Sequence, residues 1–359
     1  SRKGWDVVLL IYCLLAGMAP VWMILQPRGQ LGGYFLYFAL GAGAIGLMLG
    51  GGTAQYPAFR GWESSLPKPG APTEMLLPML FITIACGACS GFHSLIASGT
   101  TSKQLRKETD AKVVGYGSML LEAMVAIVSL CCVMMFAADS KQLSGSPNEI
   151  YAQGIAKFLS SVRIDHGIGM SFALMAFATF VYDTLDVCTR LGRFIIQELT
   201  GMHNWAGRLI GTGLTAGVPI YFLLAHPNLA MKDGVAIAAP PIWRTFWALF
   251  GASNQLLAAL TLLGITVWLW KTRRVWWVWI VTGIPTVFMY IMSTWALASM
   301  TYPKFFKDGS FVLPFDAVAW AGVVLIALAM LMLIEAIRVI TSLGGPPRPL
   351  AEPLVVETA

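Results

Sequence analysis

Long apolar stretches, repeated along the whole chain, constrain the fold more than any other feature of this sequence. The stretches are separated by short polar connections, and only 12% of the 359 residues are charged. A soluble domain carries about 25% charged residues, whereas roughly 20 consecutive apolar residues are what a helix needs to cross a bilayer. We therefore expect an all-α polytopic membrane protein rather than a soluble one.

Nine segments have the length and composition of membrane-spanning helices. In chain order they are residues 5–25, 34–49, 75–98, 113–138, 167–199, 206–224, 245–270, 275–300 and 314–340. Pro20 is expected to kink the first helix, and residues 26–29 to break the chain at a membrane surface. We expect one transmembrane domain over residues 1–341, a short surface helix at 150–159 and a disordered cytoplasmic tail at 342–359.

Basic residues set the expected orientation. They are densest in the short connections 103–112 and 271–274, which places those connections and the C-terminus in the cytoplasm. The net charge of +6 is spread over the loops. That distribution suits contact with the lipid bilayer as a partner. It does not form the concentrated basic patch that binds nucleic acid.

The third predicted helix carries polar and small residues at mid-span, where they cost free energy unless they have partners or line a water-filled path. Ser90, His93 and Ser94 share one helical face, and Gly87 and Gly91 have the spacing of a close helix contact. Packing accounts for the glycines nearly as well as function does, and a lone histidine is more often a hydrogen-bonded interior group. We nevertheless predict that all five residues line a substrate pathway, with His93 also serving ion coupling.

The fifth predicted helix is too long for one vertical span, so its charged end must leave the lipid or line a cavity. Asp186 and Arg190 are four residues apart and are expected to pair. Thr184, Asp186 and Thr189 offer hydroxyl and carboxylate oxygens, and we predict that they bind a coupling ion, H⁺ or Na⁺.

Asn254 and Gln255 lie at the middle of the seventh predicted helix. Hydrogen bonding between helices is the plainer interpretation of these amides. We also include them among the candidate substrate contacts.

The sequence has few features that would indicate a metal site, a cofactor or an enzyme. All six cysteines lie in apolar segments, and Cys86-x-x-Cys89 has no second pair, so packing is favoured and no metal is predicted. The sequence has no Gly-rich phosphate loop, nucleophile elbow or HExxH motif, and we predict neither a cofactor nor catalysis.

Residues 81–103, FITIACGACSGFHSLIASGTTSK, resemble the signature of the carbon starvation protein A (CstA) family. Residues 20–28, 184–193 and 250–259 support the resemblance. It implies an inner-membrane secondary transporter, induced when carbon is scarce, of the inverted-repeat (APC/LeuT-like) type with broken helices. It also implies that upstream helices of the family are missing, and it leaves the first or the third predicted helix as the broken one. The 184–186 segment resembles the cation-site helix of sodium symporters, which favours the third.

The sequence and the resemblance together predict proton- or sodium-coupled uptake of small peptides or pyruvate-like carboxylates. The alternative is a membrane sensor or scaffold in the starvation response, with residues 103–112 as its docking surface. A channel ranks third because the sequence has no pore-loop motif.

Overall fold

We describe the fold from a computed structural model of the chain. The residues described are 2–20, 22–50, 53–59, 61–62, 75–87, 89–137, 140–225, 229–232, 235–238, 242–307 and 309–342. Apart from residue 342, the predicted disordered tail lies outside them.

Helices dominate the described residues, and two small hairpins accompany them. The elements are α1 (Arg2–Met18), α2 (Leu25–Gly50), α3 (Phe81–Ile84), α4 (Gly91–Ile96), α5 (Gly117–Met134), α6 (Pro147–Ser161), α7 (His166–Thr200), α8 (Trp205–Ala225), β1 (Leu229–Lys232), β2 (Val235–Ala238), α9 (Trp243–Arg273), α10 (Ile284–Phe305), β3 (Phe306–Lys307), β4 (Ser310–Phe311) and α11 (Ala317–Thr341). The antiparallel pair β1–β2 lies in the connection between α8 and α9.

Short π-helical segments extend several of these helices. They are Leu76–Leu80 before α3, Ala97–Thr101 after α4, Lys112–Tyr116 before α5 and Trp279–Gly283 before α10. Two 3₁₀ turns, Ala85–Gly87 and Lys141–Ser144, complete the helical elements of the described residues.

Eight helices within the described residues are long and apolar enough to cross a membrane, one fewer than predicted. They are Leu25–Leu49, Leu76–Thr101, Lys112–Met134, His166–Thr200, Trp205–Ala225, Trp243–Arg273, Trp279–Phe305 and Ala317–Thr341. The difference is the first helix, which at 17 residues is shorter than a typical span.

The start of the chain differs from the prediction for a local reason. Pro20 disfavours helical geometry at the residue before it, so α1 ends at Met18 and is not a longer kinked helix. Residues 26–29 do not break the chain. Pro27 lies in the first turn of α2, where its missing N–H has no helical partner to lose.

The chain divides into two compact units. The first comprises Ser1–Phe59 and Thr109–Ile242, and the second comprises Arg60–Glu108 and Trp243–Ala359. The single domain over residues 1–341 remains a prediction.

In the first unit, α6 packs against α2, α5 and α7. Its residues Ile155 and Phe158 are 0% and 3% exposed, so the helix is a core element of this unit and not the surface helix that we predicted. Gly154 makes the contact with α5 possible, because a Cβ there would lie 2.3 Å from the Cβ of Cys132.

In the second unit, α9, α10 and α11 pack against one another around a small apolar core. Its buried members are Ile82, Ala252, Leu256, Ala296, Leu297 and Ala329. Both α3 and α4 lie against α9. This arrangement brings the polar residues of the third predicted helix next to Asn254 and Gln255.

Candidate functional site

The third predicted helix is interrupted at mid-span. The 3₁₀ turn ends at Gly87, Ser90 is extended with φ −119° and ψ 128°, and α4 begins at Gly91. We call the described residues of this segment, Gly87 and 89–91, the helix break. Backbone N–H and C=O groups that leave the helical ladder need other partners in a membrane, since lipid offers none.

Gln255 of α9 supplies partners on the N-terminal side of the helix break. With the amide oriented so that both of its polar atoms are bonded, its nitrogen donates to the Cys89 carbonyl at 2.7 Å and its oxygen accepts from the Cys86 N–H at 2.9 Å. The side chain is 0% exposed. One side chain therefore satisfies a backbone donor and a backbone acceptor at the same time.

Asn254 supplies partners on the C-terminal side. Its Oδ1 accepts from the Phe92 N–H at 2.7 Å and from Ser90 Oγ at 3.2 Å. Its Nδ2 lies 3.1 Å from Ser90 Oγ and 3.5 Å from Cys86 Sγ. The two neighbouring amides thus hold opposite sides of the helix break.

Gly91 and Ser94 bring α4 close to α9. A Cβ on Gly91 would lie 2.3 Å from the Asn254 carbonyl oxygen and 2.6 Å from the Ala258 nitrogen. Ser94 Oγ donates to the Gly91 carbonyl at 2.6 Å and lies 3.0 Å from Thr261 Oγ1. Gly91 is thus a packing residue at this interface, as its spacing from Gly87 had suggested.

The structure brings together five of the seven predicted substrate contacts: Ser90, Gly91, Ser94, Asn254 and Gln255. Gly87 precedes them at the end of the 3₁₀ turn, and His93 lies on an exposed side of α4. Sequence reasoning missed Thr261. Its position seven residues after Asn254 places it on the same face of α9 and was the signal that would have found it.

A second polar site lies in the first unit, on α7. Asp186, 1% exposed, accepts from Arg28 Nη1 at 2.5 Å and from the Tyr12 hydroxyl at 3.2 Å. The guanidinium carbon of Arg28 also lies 5.0 Å from the centre of the Tyr12 ring. We call Tyr12, Arg28 and Asp186 the charge cluster.

The predicted Asp186–Arg190 pairing gives way to a different arrangement. Arg190 Nη2 donates to the carbonyls of Ala16 at 3.1 Å and Ala19 at 2.8 Å, and Arg193 Nη1 donates to that of Gly17 at 2.6 Å. These are carbonyls at and just beyond the C-terminal end of α1, where a helix lacks internal donors and its dipole attracts cations. The two arginines therefore cap α1, and Arg28 pairs with Asp186 where Arg190 was expected to do so.

The predicted ion-coupling residues on α7 do not all face the same way. Thr189 is 6% exposed and Thr184 is exposed, and each donates its hydroxyl to a carbonyl on its own helix. Thr184 and Asp186 are two residues apart, about 200° around a helix, so they point to different sides. Within the described part of the chain, Asp183 Oδ1 and Asp186 Oδ1 are buried and have no hydrogen-bond partner.

The partners of Asp186 escaped sequence reasoning because they are remote. Arg28 is 158 residues away and Tyr12 is 174 residues away, so no local spacing links them to the aspartate.

Among the described residues, no group of three or more His, Cys, Asp and Glu side chains is arranged to hold a metal ion.

The eight apolar helices of spanning length among the described residues define a multi-pass helical membrane protein. The family follows from comparison with known sequences. The profile of the family described as carbon starvation protein CstA matches residues 1–150 and 136–296. The chain belongs to this family.

Characterised relatives carry transporter names. The chain is 31% identical over 368 residues to the pyruvate/proton symporter BtsT of Escherichia coli, covering 80% of this chain and 49% of the relative. It is 31% identical to the peptide transporter CstA of Campylobacter jejuni, covering 79% and 47%, and 31% identical to that of Mycobacterium tuberculosis, covering 77% and 43%. The chain spans about half the length of these relatives. No solved structure matches it.

Proposed function

We propose that this chain forms part of an inner-membrane secondary transporter that takes up pyruvate-like carboxylates or small peptides by proton symport. The relatives are named as a pyruvate/proton symporter and as peptide transporters, which supports both substrate classes and transport in place of catalysis. The observation that carries the proposal is the helix break. Non-helical backbone is tolerated at membrane depth only where protein buries it or where it lines a cavity, and transporters place substrate at such breaks.

The proposed substrate site is the region of the helix break. Ser90 and Asn254 present a hydroxyl and an amide beside extended backbone. Such groups suit the carboxylate and amide oxygens that peptides and carboxylates share. Gly87, Gly91, His93 and Ser94 complete the proposed substrate contacts, and Gln255 bonds to the backbone of the helix break.

The proposed coupling ion is a proton, with Asp186 and His93 as candidate carriers and Thr184 and Thr189 as further candidates on α7. The buried, unpartnered Oδ1 atoms of Asp183 and Asp186 support the choice of Asp186, since a bound proton would supply a donor there. Na⁺ is the alternative coupling ion. Uptake driven by a proton gradient, compared with uptake driven by a Na⁺ gradient, separates the two.

The finer architecture also belongs to the proposal. We propose that α1 crosses the membrane as a ninth span, that the helices form part of an inverted-repeat fold, and that the C-terminus is cytoplasmic. The basic residues Lys271 and Arg273 in the last turn of α9 support that orientation.

Uptake by the full-length protein in proteoliposomes tests the function. Labelled pyruvate and labelled di- and tripeptides are offered with an inward proton gradient, with an inward Na⁺ gradient, and with the proton gradient collapsed by a protonophore. We expect proton-driven accumulation of at least one substrate. Absence of gradient-dependent uptake, together with recovery of a stoichiometric signalling partner, would favour the sensor or scaffold.

A further inference from the structure

We propose that Gln255 is a positioning residue that fixes the geometry of the helix break and does not itself contact substrate. Its role in transport rests on the proposed function, whereas its effect on the backbone does not. The inference changes the part that Gln255 plays, since the sequence had suggested it as a substrate contact.

The first argument is the hydrogen-bond balance at the helix break. The Cys86 N–H and the Cys89 carbonyl both bond to the Gln255 side chain, which is 0% exposed. Without that side chain, each of the two backbone groups would lose one hydrogen bond, at about 0.5–1.5 kcal/mol apiece. The extended conformation at Ser90 thus has a specific stabilising partner.

The second argument is that Gln255 has little left to offer a ligand. Its amide nitrogen and its amide oxygen are both committed to the backbone, at 2.7 Å and 2.9 Å. Asn254 differs, because its two polar atoms bond to another side chain, Ser90, as well as to the backbone of α4. A substrate can therefore exchange with Ser90 at Asn254 while Gln255 keeps the helix break in place.

The third argument concerns which side chains can replace Gln255. A group at this position must donate and accept at once, which an amide or a neutral carboxyl can do and an ionised carboxylate cannot. The substitution Gln255→Glu therefore makes the geometry of the helix break depend on pH. The neutral carboxyl keeps both bonds and the ionised form lacks the donor, so the effect of this substitution on the helix break grows as the pH rises.

The experiment follows backbone hydrogen exchange over residues 86–92 in full-length protein in lipid nanodiscs, from about pH 5 to pH 9. Rates are corrected for intrinsic exchange and compared with wild type at each pH. The comparison with wild type at each pH removes contributions from titratable groups on elements packed against α9 near Gln255, namely Cys86, Cys89, His93 and Tyr290. Gln255→Leu keeps the volume and removes both hydrogen bonds. Uptake by the same proteins in proteoliposomes gives maximal rate and KM.

We expect Gln255→Leu to speed exchange over residues 86–92 at least tenfold at every pH. Gln255→Glu should match wild type at low pH and approach Gln255→Leu as the pH rises. In transport, both variants should lower the maximal rate with KM within about twofold of wild type, and acidification should rescue only Gln255→Glu.

Unchanged exchange in Gln255→Leu, or exchange in Gln255→Glu that is faster than wild type by the same factor at every pH, would overturn the positioning role. A rise in KM without faster exchange would instead make Gln255 a substrate contact. If Gln255→Leu fails to fold, the pH series of Gln255→Glu decides alone. If the wild-type protein transports nothing while the exchange results hold, the proposed function fails and the positioning role stands.

Discussion

Gly91 has no room for a side chain, because its Cβ position is occupied by the backbone of α9. We expect Gly91→Ala to force α4 away from α9 and to lower the free energy of unfolding by about 1–3 kcal/mol, the usual cost of overpacking. Unfolding by SDS titration in mixed micelles measures the change.

Gly251, also on α9, is the matched control for Gly91. A Cβ at Gly251 would have the Ile82 carbonyl oxygen as its nearest neighbour, at 3.8 Å, an ordinary contact distance. We expect Gly251→Ala to be neutral or slightly stabilising, since alanine is the better helix former. Equal destabilisation by the two substitutions would contradict the packing role of Gly91.

Asp186 and Arg28 depend on each other, since each single substitution leaves the other charge near the protein interior without its partner. We expect Asp186→Asn to lower the free energy of unfolding by about 1–3 kcal/mol and to abolish acceleration of uptake by a proton gradient. Substrate exchange across the membrane without a gradient should persist, because it needs no net proton movement.

A double-mutant cycle with Arg28→Gln checks this dependence. The double variant should be less destabilised than the sum of the two single variants, because no unpaired charge remains. Additive effects would show that the two side chains do not interact. Glu335→Gln is the matched control, since its 3.7 Å pair with Arg338 is exposed on both sides and contributes little.

At the scale of a whole element, α6 begins with a capping box. The Ser146 side chain accepts a hydrogen bond from the backbone N–H of Glu149. The Glu149 carboxylate in turn accepts from the Ser146 N–H at 2.9 Å. We expect Ser146→Ala to lower the free energy of unfolding by about 1 kcal/mol, with the loss of protection in hydrogen exchange confined to the first turn of α6. Protection lost evenly along the helix would contradict a local cap.

The same cap gives α6 a predictable pH dependence. The backbone N–H of Ser146 holds the pKa of Glu149 below its ordinary value. Its contribution is therefore present above the ordinary pKa of about 4.3 and is lost as the pH falls through the lowered value. We expect the difference in midpoint of thermal unfolding between wild type and Glu149→Gln to shrink on acidification from pH 7 to pH 3. A difference that grows over that range would reverse the sign of the effect.

At the scale of the molecule, the proposed orientation predicts which connections face the cytoplasm. In a background without cysteine, Lys107→Cys and Ser342→Cys should react with an impermeant maleimide only in inside-out vesicles. Gln142→Cys, on the 3₁₀ turn before α6, should react only from outside. Labelling of all three from the same side would refute the orientation.

Much of the architecture was predictable from the sequence, because a bilayer permits few structures. Seven of the nine predicted spans agree with helices of the structure to within a few residues, from Leu76–Thr101 to Ala317–Thr341, although the first of these is interrupted. Length and hydropathy suffice for this, since backbone groups in lipid must be satisfied within the segment. The family signature at residues 81–103 was also readable directly, and comparison confirmed it.

Tertiary contacts decided where the polar residues act. The third helix breaks at Ser90 because α9 offers the amides of Asn254 and Gln255 to backbone groups that are 162 to 169 residues away in sequence. Asp186 bonds to Arg28 in place of its helical neighbour Arg190, because α2 brings Arg28 beside it while the end of α1 engages Arg190. Local spacing determines which residues share a helical face, but the free energy of a buried polar group depends on the partner that a distant helix supplies.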